Sequence, residues 1–281
     1  MTLRDITRKD FTAARRSRGL WAVMTLLGLL TTLIAFGFSG YRLGPEETVV
    51  RLFRTMGGVF GLLLPIVALV ASYMAIAGER ESGGVKFLLG LPNSRRDVFL
   101  GKLASRLGVV TIGIAFMFAT ATAMAVARNG ALPVGVVVGM FAVSLLYAAV
   151  FVAVAVSLSA IVAERSRAIA AAVGSYFLLV MLYVIPGVSV ALLVRFVHQT
   201  LLGFEPNVDL YNAVLYTSPL IAYRKAMNLV VPTDVERQVL QQPPDYTLPG
   251  YLGDELSLVV FAVWLAVPLA LGYWRFEGAD L

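Results

Sequence analysis

Six apolar runs, at residues 19–41, 55–77, 107–127, 134–163, 168–194 and 256–274, contain no Asp, Glu, Lys, Arg or His. At about 1.5 Å per helical residue, runs of this length match a hydrocarbon core about 30 Å thick. Apolar residues make up 59% of the chain and charged residues only 14%, with mean hydropathy +0.82. A soluble domain would carry about a quarter charged residues. The predicted fold class is therefore all-α, a polytopic membrane protein with six transmembrane helices.

Between the second and third runs lies a stretch, residues 78–102, with eleven charged or strongly polar residues. Inside it Val85, Phe87, Leu88, Leu89 and Leu91 form an apolar cluster, flanked by Glu79, Arg80, Glu81 and Lys86 on one side and Arg95, Arg96 and Asp97 on the other. Gly83 and Gly84 are expected to break the helix leaving the membrane, and Pro92 to end the short apolar element. Ser94 with Asp97 reads as a capping box that opens the next helix. Two readings fit this pattern: an interfacial helix lying in the headgroups, or a knob on which a partner protein docks.

The order Gly78-Glu79, Gly83-Gly84, an apolar stretch, Leu91-Pro92, Ser94-Arg95-Arg96 and Leu100-Gly101-Lys102 resembles the loop after the second span of ABC-2-type transporter permeases. The similarity is greatest to permease subunits of nitrous-oxide reductase maturation transporters. Residues Ser218-Pro219-Leu220-Ile221-Ala222-Tyr223-Arg224, followed by Asn228-Leu229, resemble a second motif of that family. Where the family has Glu-x-x-x-Gly-Thr, this chain has Glu79 followed by Gly83-Gly84. The resemblance implies that the loop contacts a separate cytoplasmic ATPase, with Glu79, Glu81, Gly84, Phe87, Leu88, Leu89, Pro92, Arg95, Arg96 and Lys102 at or around the contact. It also implies that ATP and Mg are bound by that partner, with no cofactor in this chain, and that two permease copies pair within the lipid.

Residues 1–18 read as an amphipathic helix on an anionic leaflet or as a solvated charged tail, with Leu3, Ile6, Phe11 and Ala14 on one side, Arg4, Arg8, Arg15 and Arg16 on the other, and Asp10 out of pattern. The family resemblance implies the former, an elbow helix. Residues 19–281 form the six-span domain. In the second run Gly57 and Gly61 make a GxxxG pair for close helix approach, with Pro65 one turn on. The fifth run is interrupted at Pro186-Gly187. Between the fifth and sixth lies an outer region, residues 195–255, where Ser218 is expected to cap a re-entrant or amphipathic helix beginning at Pro219 and carrying Tyr223 and Arg224.

With the amino terminus inside, fifteen Lys and Arg fall on the inner side and eight on the outer. That asymmetry places both termini in the cytoplasm and the chain in the cell membrane. It also accounts for the net charge of +6 without nucleic acid. Uncharged spans disfavour an internal proton or sodium relay. A phosphate loop fails at Gly101-Lys102, which is followed by Leu103 and preceded at the required spacing by Arg96. No cysteine is present and His198 is the one histidine, so no metal site is expected. Nine methionines, Met117 and Met124 among them, read as apolar filling. The competing class is a membrane-bound enzyme or metalloenzyme assembly factor that uses residues 195–255, with His198, Glu205, Asp209 and Arg224 as its polar groups.

Overall fold

The structure, a computed structural model, describes residues 3–16, 18–40, 43–84, 94–185, 189–231 and 249–279. Its elements are α1 (Leu3–Arg15), α2 (Arg18–Gly37), α3 (Pro45–Ser72), α4 (Ala77–Glu81), α5 (Arg95–Asn129), α6 (Val134–Ile161), α7 (Arg165–Leu179), α8 (Val190–Arg195), α9 (Val208–Tyr216), α10 (Pro219–Val230) and α11 (Leu256–Glu277). A π turn, Phe196–Leu201, continues α8. Among the described residues five segments are long and apolar enough to cross a membrane: Pro45–Glu81, Arg95–Asn129, Val134–Ile161, Arg165–Tyr183 and Leu256–Glu277. The described apolar part of α2, Trp21–Gly37, is shorter.

Two helices outrun their apolar stretches because polar residues continue them. Pro45 starts α3 ten residues before the uncharged run, with Glu46 and Glu47 in the first turn favoured by the helix dipole. In α5 the start is Arg95, twelve residues before the run at 107, because the capping box forms as expected: Asp97 N–H donates to Ser94 Oγ at 3.0 Å, and Ser94 N–H donates to Asp97 Oδ2 at 3.2 Å. The fifth run behaves differently. Helix α7 ends at Leu179, well short of Pro186-Gly187, which lies outside the described residues.

Helix α6 is the hub, packed by α3, α5, α10 and α11. Phe118 of α5 meets Phe53 and Phe60 of α3 and Phe141 of α6 with ring centroids 5.3–5.8 Å apart, joining three spans through one aromatic knot. Small residues let the backbones close in. A Cβ on Gly272 would stand 2.6 Å from Ser157 Cα, which is backbone and cannot swing aside. On α3, Gly57 faces Met227 and Met140 while Gly61 faces Leu220 and Tyr223, so the GxxxG pair seats α10 against α3 and α6.

Helix ends leave carbonyls without intrahelical partners, a severe cost near lipid. Five arginines meet that cost at five helix ends. Arg54 donates to Val231 O after α10 (3.0 Å), Arg80 to Ala160 O of α6 (3.0 Å), and Arg106 to Ala71 O of α3 (3.1 Å). Arg128 donates to Phe36 O of α2, and Arg95 reaches three carbonyls at the end of α11, Phe276, Glu277 and Ala279, at 2.6–2.9 Å. A cation at a helix C-terminus also meets the negative end of the helix dipole.

The packing separates two glycines that look alike in the sequence. Gly272→Ala is expected to lower the apparent melting temperature in detergent by overpacking, at a cost of about 1–3 kcal/mol. Gly174→Ala, with open space around it, is expected to leave stability unchanged or raise it by about 1 kcal/mol through helix propensity. Thermal unfolding of the two purified variants measures the contrast.

Candidate functional site

The stretch between α3 and α5 stands on a scaffold fixed from three sides. After α3 a tight turn leads into α4, whose first two amides, Ile76 N–H and Ala77 N–H, both donate to Ser159 Oγ at 3.0 and 2.9 Å. Glu81 accepts from Arg165 N–H at 3.1 Å. The corner between α6 and α7 therefore grips α4 at both ends, with Arg80 at Ala160 as a third stitch. Gly83 then takes φ +74°, a left-handed conformation that ends the turn without the penalty of a Cβ. Chain description resumes at Ser94, the cap of α5. Phe87, Leu88, Leu89 and Pro92 lie outside the described residues, while Gly84 is described and half-buried.

Helix α1 crosses the base of this scaffold. The sequence pattern placed its apolar side in the leaflet; the structure turns Ile6 and Phe11 of that side onto α5. Ile6 is buried where Gly101 leaves room for it, 2.8 Å from where a Cβ would stand, and Phe11 packs at Gly108. This explains Asp10. Four residues after Ile6, it shares the buried side, where Lys102 Nζ donates to Asp10 Oδ1 at 2.6 Å and to Glu79 Oε1 at 2.5 Å. Arg106, one turn on from Lys102, adds a bond to Asp10 Oδ1 at 3.2 Å. Two anions and two cations from α1, α4 and α5 thus form one compact network.

The expected rim residues of the loop consequently differ in role. Lys102 is 2% exposed and lies inside the ion network rather than at a rim. Glu79 is bound to it, Arg95 is spent on the end of α11, and Glu81 on the Arg165 amide. Arg96 alone of this charged set stands exposed with no hydrogen bond or ion pair among the described residues, two positions on from Ser94. Sequence reasoning missed Asp10, Arg106 and Ser159. An acidic residue breaking an apolar face on α1, opposite a Lys and an Arg at i,i+4 spacing on α5, was the available signal.

Within the bundle Ser218 caps α10, its Oγ accepting from Leu220 N–H at 3.2 Å with Pro219 in the first turn. Tyr223 is fully buried, stacked on Tyr147 with ring centroids 4.4 Å apart and hydrogen-bonded to Ser144 at 2.9 Å. Tyr147 in turn donates to Gly61 O at 2.8 Å. Pro65 is buried within α3, and Arg224 is exposed. Burial alone would push the Lys225 ammonium down, but Tyr216 and Asp254, the latter at 3.2 Å, outweigh it and hold its pKa above the ordinary lysine value. His198 Nδ1 and Gln199 Nε2 share the Tyr211 hydroxyl at 3.1 and 3.0 Å, so the histidine stitches α9 to the preceding π turn. Among the described residues no three or more His, Asp or Glu side chains converge on a point that could hold a metal ion. Gly101 and Lys102 lie inside the continuous helix α5, not in a loop that could wrap a phosphate.

Comparison with known proteins places this arrangement. The family described as ABC-2 family transporter protein matches residues 4–281. A relative from Stutzerimonas stutzeri, named "Probable ABC transporter permease protein NosY", is 32% identical over 285 residues, covering 97% of each chain. A protein of the same name from Pseudomonas aeruginosa is 30% identical over 183 residues, 63% of this chain and 66% of that one.

Removing the cation that Asp10 and Glu79 share leaves Glu79 without a cationic partner and Asp10 with Arg106 alone. Lys102→Met is therefore expected to cost about 3–5 kcal/mol of stability, whereas Arg96→Ala at the exposed start of α5 should stay within about 0.5 kcal/mol. Denaturation of both variants in detergent tests the assignment of Lys102 to the interior.

Proposed function

We propose, from the premise that this chain belongs to the ABC-2 transporter family, that it is the six-span permease subunit of an ATP-binding cassette transporter. It is an integral membrane protein, and α2 supplies the first of its crossings. Both termini and the stretch between α3 and α5 face the cytoplasm of a cell whose membrane holds the chain. The ATPase is a separate cytoplasmic subunit that binds ATP and Mg, and this chain contributes no catalytic group of its own. A second permease copy completes the path, and the cargo moves outward between the two.

The observation that carries this reading is the mounting of the 78–102 stretch. A loop that only joined two spans would not be clamped to α1, to the α6–α7 corner and, through Arg95, to the end of α11. Such a mounting suits a lever. Force applied at the apolar cluster around Phe87, Leu88 and Leu89 reaches α3 and α5 at their cytoplasmic ends, and rigid helices transmit it as tilt. Arg96 is the charged side chain placed to pair with the ATPase surface beside that cluster. At the other end α10, wedged at Gly57 and Gly61 and anchored by Ser218 and Tyr223, forms the re-entrant closure of the outer face.

Phe87→Asp combined with Leu88→Asp is expected to abolish copurification of the ATPase subunit while leaving the amount of permease in the membrane unchanged. Undiminished copurification of the double variant would contradict the assignment.

A further inference from the structure

We propose that Asp10, Glu79, Lys102 and Arg106 are positioning residues that make α1, α4 and the first turns of α5 a single moving body, so that helix α1 travels with the loop when the ATPase acts. This rests on the permease reading above. Apolar contacts alone hold α1 against α5 at Gly101 and Gly108, and side chains of that kind would serve stability as well as charges do, since a buried ion pair often contributes no more than well-packed apolar groups. What charges add is register. Lys102 sits within bonding distance of carboxylates from two different segments, one before the first span and one after the second. Arg106 fixes the third, bonding both Asp10 and the last turn of α3 through Ala71 O.

The network is also not closed upon itself. Asp10 Oδ2, Glu79 Oε2 and Arg106 Nε are buried with no partner among the described residues. A pure stability device would leave fewer such atoms unbonded. Charges that are paired but not saturated fix one arrangement against sliding or rotation, because any displacement of α1 along α5 exposes a buried charge to lipid or apolar side chains. The elbow helix is by this account the second arm of the lever, carrying loop motion to the base of α2.

The chain lacks cysteine, so spin labels can be placed at will. Labels at Arg8→Cys and at Ser82→Cys, each paired with a reference at Val138→Cys on the exposed face of α6, report the two arms in the assembled transporter by pulsed dipolar spectroscopy. Trapping the ATPase with nucleotide and vanadate is expected to change both distances together. In the charge-free variant Asp10→Asn, Glu79→Gln, Lys102→Met, Arg106→Met, which keeps each side chain near its native size, the Ser82 distance should still change while the change at Arg8 is lost. A control pair at Leu33→Cys and Val138→Cys should be the same in both backgrounds, which separates uncoupling from misfolding. Retention of the Arg8 change in the charge-free variant would overturn the clamp. If neither arm responds in the native background, the lever reading fails instead, and the clamp as a coupling element fails with it.

Discussion

Charges buried at one end of an apolar bundle have to answer one another, and here four of them do so across segments far apart in the sequence. Lys102 lies 92 residues from Asp10 and 23 from Glu79. Each partner alone would be intolerable where it is. Together they tie the entry of the first helix, the exit of the second span and the start of the third into one block. The chain leaves that block at Gly83 and returns to it at Ser94.

The same logic runs through the arginines. Read as a sequence they are charges whose asymmetry is expected to orient a membrane protein. In the structure they also close the open ends of helices. Arg80 and Arg95 bind the C-terminal ends of α6 and α11 while sitting at the two edges of the charged stretch. The described part of the stretch is thus wired to α6, α7 and α11. Membership of the ABC-2 family gives this wiring the use proposed above: a rigidly mounted element between two spans that admits force from a partner subunit.

Much of the fold was legible because lipid leaves few choices. Uncharged runs of this length become helices, and the positions of α5, α6 and α11 follow from them within a turn or a few. Ser94, Asp97, Ser218 and Pro219 were readable because capping chemistry is local. What could not be read was set by contacts between distant segments. Asp10 looked misplaced on α1 because its partner is on α5. Lys102 looked like a surface charge in a polar loop because the loop continues as helix and turns that residue inward. Gly57 and Gly61 announced a close approach without saying that α10, from the outer region, would be the helix that fills it.

Sidedness tests the central claim most directly. A single cysteine introduced at Leu88 in this cysteine-free chain can be offered a membrane-impermeant maleimide in intact cells and in inside-out vesicles. The account predicts labelling in the vesicles, protection in intact cells, and loss of vesicle labelling when the ATPase subunit is bound. Labelling of intact cells would put the loop on the outer face, beyond reach of any cytoplasmic motor, and contradict the account.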